Sequence, residues 1–178
     1  MAIVNEAFAA LKQRRRNLTG RTGCGLCGAE SLAQAIPEPS PVMADMVIEP
    51  VALARAVTSM DELQPLKALT GSVHGAAFCS EAGELFLLRE DVVRHNALDK
   101  LIGSIHRGTA SAGFILVTSR ASYEMVAKTP RANVPILAAV SAPTSLAIEQ
   151  AHTCGLTLVG HVSEGRQVVY TRPERIRG

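Results

Sequence analysis

Short apolar segments alternate with helical segments from residue 72 onward, and this alternation is the strongest constraint on the fold. Two apolar runs flank a Gly-containing connection, which predicts a β-hairpin. Strands are predicted at 73–79, 85–89, 114–119, 134–140, 156–162 and 168–171, and helices at 95–107, near 121–128 and near 143–153. Wholly apolar strands separated by helices are typical of a sheet covered on both faces. We therefore expect an α/β protein, a three-layer α/β/α fold with a mixed sheet.

The N-terminal region differs in composition from the rest of the chain. Residues 3–13 carry apolar side chains at helical spacing, which predicts a short amphipathic helix. Residues 14–28 contain four Gly and four Arg, a composition typical of an exposed, flexible loop. Pro50 and Pro65 each stand where a proline can open a helix. These patterns predict a helix and flexible loop at 1–44, followed by an α/β/α domain at 45–178.

Composition excludes several classes of protein. Apolar residues make up 47% of the chain, enough for a packed core, yet no apolar run approaches the roughly 20 residues of a membrane-spanning helix. With no Trp, two Tyr and four Phe, a groove that stacks single-stranded nucleic acid is not expected. The N-terminal segment is apolar before it is basic, the reverse of a secretory signal. We therefore predict a cytoplasmic protein without a membrane or nucleic-acid partner.

Positive charge is concentrated near the two ends of the chain, although the net charge is only +2. Residues 1–21 hold five basic side chains and one acidic one, and residues 166–178 hold four and one. Most of the basic residues are Arg, which binds phosphate with a planar pair of donors. The pattern favours an anionic small ligand or an acidic partner, and a solvated basic surface explains it equally well.

Three predicted loops follow predicted strands, where open α/β sheets bind ligands beside the amino termini of helices. The polar candidates in the first two loops are Ser119, Arg120, Ser141 and Thr144, and the third loop runs from His161 to Arg166. Helix capping explains the hydroxyl residues as well as ligand binding does. The arginines in the first and third loops favour an anion site.

A dense polar run occupies residues 89–100, between a predicted strand and a predicted helix. Asp91, His95 and Asn96 are suited to binding a base or a ribose through side-chain donors and acceptors. The alternative is a helix start in which Asp91 complements the helix dipole. The run holds more hydrogen-bonding residues than a helix start requires, so we favour a binding role. His74, taken alone, is interpreted as structural.

Cys24 and Cys27 form a CxxC motif between glycines, with Arg21 close enough in sequence to favour the thiolate. The chemistry open to such a pair is disulfide exchange, relay of a persulfide sulfur, or half of a metal site. A structural zinc site normally has four ligands, and no second CxxC follows, so we expect no structural metal. An incidental pair of thiols is the remaining alternative. The motifs of zinc deaminases, dinucleotide-binding folds and P-loop NTPases are absent.

Six segments in this order resemble the formate dehydrogenase accessory sulfurtransferase family (FdhD). They are RRRNLTGRTGCGLCG, TGSVHGAAF, REDVVRHNALDK, TSRASYEMV, ILAAVSAPTSLAIE and GLTLVGHV. The resemblance covers nearly the whole chain. It implies a fold similar to that of cytidine deaminase without the zinc site, and it implies that the family's N-terminal domain is missing from this chain.

The same resemblance implies a sulfur-transfer function. Family members take sulfur from a cysteine desulfurase and deliver it to the molybdenum or tungsten bis-molybdopterin guanine dinucleotide cofactor of formate dehydrogenase. Cys24 is then the persulfide carrier and Cys27 assists or resolves it. The implied cofactor-binding segment is His161, Val162, Ser163, Glu164, Gly165 and Arg166. A homodimer is also expected, and the alternative function is a cofactor-binding chaperone that does not move sulfur.

Overall fold

A computed structural model describes residue 36, residues 38–108 and residues 112–177. The chain divides into two compact units, Met1–Glu38 and Pro39–Gly178. The predicted helix at 3–13, the predicted loop at 14–28 and the CxxC motif lie outside the described residues. The predicted domain boundary between residues 44 and 45 stays a prediction.

The helices of the second unit begin close to the predicted positions. They are α1 (Pro50–Glu62), α2 (Pro65–Thr70), α3 (Arg94–Arg107), α4 (Tyr123–Lys128) and α5 (Ser145–Cys154). Pro50 and Pro65 are the first residues of α1 and α2, where a missing N–H is tolerated because no intrahelical acceptor is available there. In the described ranges, no helix combines the length and the apolar character needed to cross a membrane.

Six strands form one mixed sheet in the order β2-β1-β3-β4-β5-β6. Their bounds are β1 (His74–Cys79), β2 (Leu85–Asp91), β3 (Phe114–Val117), β4 (Ile136–Ala139), β5 (Thr157–Ser163) and β6 (Arg166–Thr171). The strand β1 is antiparallel to both β2 and β3, whereas β3, β4 and β5 are parallel to one another. The strand β6 returns antiparallel beside β5. The predicted mixed α/β sheet is confirmed.

Alternate side chains of each central strand enter two separate cores. Ala76 and Phe78 of β1 pack on the face covered by α3, α4 and α5. Ala77 and Cys79 pack on the opposite face, which α1 covers. Because both faces of the sheet are buried, its strands can be apolar throughout, as the sequence pattern indicated.

The turn of the β1–β2 hairpin packs directly against α1. Ser80 N donates to Glu84 O at 2.8 Å, and Gly83 adopts φ 86°. A Cβ atom at Gly83 would overlap the backbone carbonyl of Ala52 in α1. Glycine is therefore required at this turn both by its backbone conformation and by the close approach of the helix.

The two ends of the unit pair with each other. Ile48 and Ile176 form an isolated parallel bridge, in which Ile48 N donates to Arg175 O and Arg177 N donates to Ile48 O, both at 2.9 Å. The strand β6 begins at Arg166, two residues earlier than predicted, because Ser163 pairs with Arg166 across the hairpin. Arg166 therefore belongs to a strand rather than to a loop.

Candidate functional site

The strand directions bring the predicted ligand-binding residues to one end of the sheet. The strands β2, β3, β4 and β5 end there at Asp91, Val117, Ala139 and Ser163, while β1 and β6 begin there. We call this the carboxyl end. The helices α3, α4 and α5 also begin there, because each directly follows one of these strands. All thirteen predicted cofactor-binding residues lie in or directly after these strand ends, or in the β5–β6 hairpin.

These residues are spread across the sheet rather than gathered in one cluster. Asp91, His95 and Asn96 follow β2 at one side, and the His161–Arg166 segment joins β5 to β6 at the other. Four strand spacings separate β2 from β5, which corresponds to roughly 19 Å. The loops after β3 and β4 lie between the two groups. A ligand that contacts both groups must therefore be long.

Asp91 and Asn96 are already engaged in shaping the turn that leads into α3. Asp91 Oδ1 accepts from Val93 N at 2.9 Å and from Asn96 Nδ2 at 3.3 Å, and Asp91 Oδ2 lies 2.6 Å from Lys100 Nζ. The hydrogen bond from Lys100, and after it the one from Val93, lowers the pKa of Asp91. These contacts agree with the alternative of a helix start, and of the three predicted residues they leave His95 as the one with a buried polar atom that has no partner among the described residues.

His95 has one ring nitrogen occupied and one without a partner. Its Nε2 lies 3.3 Å from Glu124 Oε2, while Nδ1 is buried and has no hydrogen-bond partner among the described residues. Burial lowers the pKa of His95 below the ordinary value, which favours the neutral ring at neutral pH. His95 therefore presents a polar atom that the described part of the protein leaves unsatisfied.

The loop after β3 contains a buried hydroxyl group and, next to it in sequence, an exposed guanidinium group. Ser119 is only 6% exposed, and its Oγ donates to Arg120 O at 3.1 Å and lies 3.9 Å from Met125 Sδ. The Arg120 side chain is exposed and has no hydrogen-bond or ion-pair partner among the described residues. Of these two predicted residues, Arg120 is the one available to a ligand.

The loop after β4 provides the cap of α5. Thr144 Oγ1 accepts from Ala147 N at 3.2 Å and keeps its own hydrogen for donation. Ser141 is half-buried, and its backbone oxygen accepts from His161 N at 3.3 Å. The loop after β4 therefore contacts the end of β5 directly.

The end of β5 is distorted where it meets that loop. The pairing of β5 with β6 is irregular between Gly160 and Ser163, and His161 takes φ 54°, a left-handed conformation that is uncommon outside glycine. A Cβ atom at Gly160 would lie 2.8 Å from Pro143 Cδ and 3.0 Å from the Tyr170 ring. This close approach, together with the hydrogen bond to Ser141, holds His161 beside the loop after β4.

The rest of the β5–β6 hairpin is mainly structural. Val162 is buried in the core beside α1, and Glu164 Oε1 accepts from Thr58 Oγ1 at 3.0 Å. Ser163 Oγ donates to Arg166 O at 3.5 Å, and Gly165 forms the turn with φ 73°. The Arg166 side chain is exposed and has no partner among the described residues. Arg166 and His161 are therefore the residues of this segment best placed for a ligand.

The arrangement suits an anion that also carries hydrogen-bond donors. The amino termini of α3 and α5 have unpaired N–H groups, and Arg120 and Arg166 add two free guanidinium groups. Across the described ranges, no three His, Cys, Asp or Glu side chains converge in a way that could hold a metal ion. The chemistry available at the carboxyl end is thus recognition of phosphate and of a polar ring.

The two described cysteines are unsuited to carrying sulfur. Cys79 and Cys154 are both buried. Burial raises the pKa of Cys79 to about 12, and burial also raises the pKa of Cys154. Both therefore remain thiols near neutral pH, whereas the thiolate is the nucleophile in sulfur chemistry.

Sequence reasoning missed Glu124, and it gave no role of their own to Ser122 and Arg94, which lie within two of the candidate segments. Ser122 Oγ donates to Glu124 Oε2 at 2.9 Å, and Nε of Arg94 is buried without a partner among the described residues. In sequence, Glu124 is an ordinary acidic residue in the first turn of a short helix. Only the packing of α4 beside α3 brings it to His95, so no local signal could have identified it.

Comparisons with known proteins identify the family to which the chain belongs. The model of the FdhD/NarQ family matches residues 1–177. The sulfur carrier protein FdhD of Variovorax paradoxus (strain S110) is 53% identical over 178 residues, which are 99% of this chain and 64% of that protein. The sulfur carrier protein FdhD of Xanthomonas euvesicatoria pv. vesicatoria (strain 85-10) is 51% identical over 173 residues, 96% of this chain and 62% of that protein.

A solved structure agrees with these relatives. A protein from Desulfotalea psychrophila, described as a candidate formate dehydrogenase accessory protein, superimposes with a TM-score of 0.73 at 34% identity. The match covers 80% of this chain and 61% of that one. The chain thus spans less than two thirds of the length of each of these relatives. The family match over nearly every residue, with half of the positions identical in the relatives, shows that the chain belongs to the FdhD/NarQ family.

Proposed function

We propose that the protein carries sulfur as a persulfide on Cys24 and passes it to a molybdenum or tungsten bis-molybdopterin guanine dinucleotide, the cofactor of formate dehydrogenase. In this reaction the cofactor is the cargo. The observation that carries the proposal is the carboxyl end of the sheet, where free guanidinium groups and helix amino termini meet. The names of the relatives support a sulfur-carrier role.

The cargo fits the spacing of the two residue groups. It is a polyanion with a guanine nucleotide at each end and phosphates between the guanines and the metal. The groups around His95 and around His161 lie roughly 19 Å apart on the sheet. Arg120 and Arg166 supply bidentate donors for phosphate oxygens, and the first turn of α5 adds backbone N–H groups. A long anion with two polar rings is the ligand that this arrangement suits.

The cysteines support the choice of sulfur carrier by elimination. Cys79 and Cys154 are buried and have raised pKa values, so neither is a good nucleophile. Cys24 and Cys27 are the remaining cysteines of the chain. Both lie outside the described residues, in a segment whose Arg residues favour an ionised thiol.

The atoms and electrons of the proposed sulfur transfer balance when two thiols take part. The Cys24 thiolate attacks the terminal sulfur of a cysteine desulfurase persulfide. A new S–S bond forms on Cys24, the S–S bond of the donor breaks, and the donor thiolate leaves. Cys27 then attacks the inner sulfur of the Cys24 persulfide, forms a disulfide with Cys24 and releases the outer sulfur as hydrosulfide, the form in which the cofactor receives it. The two thiols lose the two electrons that the outer sulfur gains, and a cellular dithiol reductant restores them.

Mass spectrometry after sulfur loading tests the carrier. The protein is incubated with a cysteine desulfurase and cysteine, and the persulfide is mapped to a peptide. We expect the label on Cys24, its loss in Cys24→Ala, and an unchanged yield in the control Cys154→Ala. A persulfide found only on Cys79 or Cys154 would contradict the proposal.

The alternative is a chaperone that binds the cofactor without moving sulfur. Replacing Cys24 and Cys27 by Ala separates the two functions, because a binding chaperone does not need either thiol. The readout is formate dehydrogenase activity in cells that lack their own family member. Loss of activity with retained cofactor binding supports sulfur transfer, and full activity supports the chaperone.

Three further expectations belong to this proposal. They are a homodimer, a cytoplasmic location, and a fold that resembles cytidine deaminase without its zinc site. Analytical ultracentrifugation of the purified chain tests the homodimer directly. A monomer at all accessible concentrations would remove dimerisation from the proposal and leave the sulfur chemistry in place.

A further inference from the structure

Glu124 and His95 form a polar contact between two helices at the carboxyl end of the sheet. His95 stands in the first turn of α3 and Glu124 in the first turn of α4. Glu124 Oε2 lies 3.3 Å from His95 Nε2, and Ser122 Oγ donates to the same oxygen at 2.9 Å. The carboxylate is therefore held by its own helix start while it contacts the histidine of the neighbouring helix.

A second contact fixes the two helices one turn further along. Lys128 Nζ lies 2.8 Å from Asp99 Oδ1, and these residues follow Glu124 and His95 by four positions in α4 and α3. Residues four apart lie on the same face of a helix. The relative position of α3 and α4 thus does not depend on the contact of His95 with Glu124 alone.

The contact determines which nitrogen of His95 carries the proton. A neutral imidazole has one N–H donor and one bare nitrogen, and an ionised carboxylate accepts hydrogen bonds without donating them. The approach of Glu124 to within 3.3 Å favours a hydrogen on Nε2, which leaves Nδ1 as an acceptor. Nδ1 is buried and has no partner in the described ranges. Burial favours the neutral ring by lowering the pKa of His95 against the attraction of Glu124, while Arg94 and Lys128 lower it further and Asp99 opposes them.

We propose that Glu124 is a positioning residue that holds His95 in the Nε2–H tautomer, so that Nδ1 accepts a hydrogen bond from an N–H group of the guanine base. This inference rests on the proposed function, because it needs a guanine nucleotide at the carboxyl end. It goes further because it assigns the recognition of a base N–H group to a single atom, His95 Nδ1. Ser122 has a supporting role, since its hydroxyl orients the carboxylate.

The inference predicts which base is accepted. Guanine carries N–H donors on its pairing edge, at N1 and at the exocyclic amine. Adenine has a bare nitrogen at N1, so the same contact at N1 would bring two lone pairs together, and its amine lies at C6, where guanine has a carbonyl oxygen. A site that hydrogen-bonds a substrate N–H discriminates against analogues that lack it. We therefore expect guanosine diphosphate to bind more tightly than adenosine diphosphate.

Titration calorimetry with guanosine diphosphate tests the inference on the full chain. Glu124→Met removes the acceptor at similar size and is expected to weaken binding about tenfold, because Nδ1 is no longer held as an acceptor. Glu124→Gln retains a carbonyl acceptor and is expected to bind nearly as well as the wild type. Asp99→Asn is the matched control, since it removes the charge of the acceptor in the neighbouring cross-helix ion pair without touching His95.

Two further measurements exclude a purely structural role. The substitution His95→Asn places an amide oxygen where Nδ1 lies and leaves no atom at Nε2, so adding Glu124→Met to it should cause no further loss of binding. Nitrogen NMR of His95 in the free protein should show a bare Nδ1 in the wild type and mixed tautomers in Glu124→Met. Equal losses for Asp99→Asn and Glu124→Met, or a protonated Nδ1 in the wild type, would overturn the inference.

The outcomes separate this inference from the proposed function. Binding of guanosine diphosphate that is unaffected by Glu124→Met would overturn the role of Glu124 and leave the proposed function standing. If the wild type does not bind guanosine diphosphate at all, both the inference about Glu124 and the proposed function are contradicted.

Discussion

The two ends of the sheet contain similar polar residues, which differ in whether their side chains have hydrogen-bond partners. At the amino end, where β3, β4 and β5 begin and β6 ends, the polar groups around Arg175 and Thr171 satisfy one another. Arg175 donates to Gly155 O at 2.7 Å and to Thr157 Oγ1 at 3.3 Å, and pairs with Asp45 at 3.2 Å. Thr171 Oγ1 donates to Leu156 O at 2.6 Å and accepts from Leu158 N at 2.9 Å. The arginine and the threonine at this end stabilise the fold.

At the carboxyl end, two arginine side chains and one histidine nitrogen are left without partners among the described residues. Arg120 and Arg166 have exposed guanidinium groups, and His95 Nδ1 is buried and unpaired. A buried polar atom without a partner costs stability, so its presence needs a reason outside folding. The comparison shows that residue type alone does not identify a binding site. Unsatisfied hydrogen-bonding capacity is the more informative observation.

Concave shape alone does not identify a binding site either. The amino end has a cavity of about 430 Å³, which is lined by His152, Tyr170, Thr171, Arg172, Pro173 and Glu174. Within it, Arg172 pairs with Glu174 at 3.4 Å and covers Gly155. The charged groups of this cavity therefore neutralise each other, unlike those at the carboxyl end.

The largest expected effect comes from removing both free arginines of the carboxyl end. Arg120→Ala combined with Arg166→Ala should weaken guanosine diphosphate binding about 100-fold, because two charge-assisted contacts to phosphate are lost. Titration calorimetry at fixed salt measures the change, and the melting temperature should not fall. The control is Arg172→Ala with Arg177→Ala, which removes the same charge at exposed positions. An equal loss in that control would show that binding depends only on net charge.

Arg175→Ala should produce the reverse result. It should lower the free energy of unfolding by about 2 kcal/mol, because Gly155 O and Thr157 Oγ1 lose their donor. Affinity for guanosine diphosphate should stay unchanged, since Arg175 lies at the other end of the sheet. Urea unfolding measures the stability, with Arg131→Ala at an exposed position as the control. A stable Arg175→Ala variant with weakened binding would reverse the assignment of the two ends.

Thr171→Val should have a smaller effect of the same kind. The substitution keeps the shape but leaves Leu156 O and Leu158 N without their side-chain partner, at a cost of about 1 kcal/mol in unfolding free energy. The matched change Thr153→Val removes an exposed hydroxyl bonded to its own helix and should cost less. Similar costs in urea unfolding would mean that the amino end does not depend on this contact.

Acid should affect the carboxyl end through His95, and this is the smallest effect. The pKa of His95 in the folded protein lies below its ordinary 6.5, so the unfolded chain takes up the proton more readily. Stability is therefore lost as the pH falls from the ordinary value of 6.5 toward the lower pKa of His95 in the folded protein. The proton also removes the acceptor at Nδ1, so guanosine diphosphate binding should weaken over the same range. His95→Asn should remove this residue's part of the pH dependence of stability and binding. An unchanged pH profile in that variant would contradict the prediction.

Local patterns predicted most of the secondary structure. The apolar run 114–119 became β3 and the proline at position 50 opened α1, because both signals act between neighbouring residues. The strand order was not predicted, since it depends on pairing between distant segments. The same limit applies to Ser119, whose hydroxyl turns into the protein, and to His161, whose left-handed backbone arises from the irregular pairing of β5 with β6.

The amino-acid sequence by itself determined which segments are strands and helices, and it placed arginines and hydroxyl residues directly after the strands. It also carried the motifs that indicate the family. Only the tertiary structure decided that six strand ends meet at one end of the sheet, and that His95 contacts Glu124. The physical reason is that propensity and periodicity depend on near neighbours, whereas the satisfaction of a polar group depends on which distant atoms the fold brings to it.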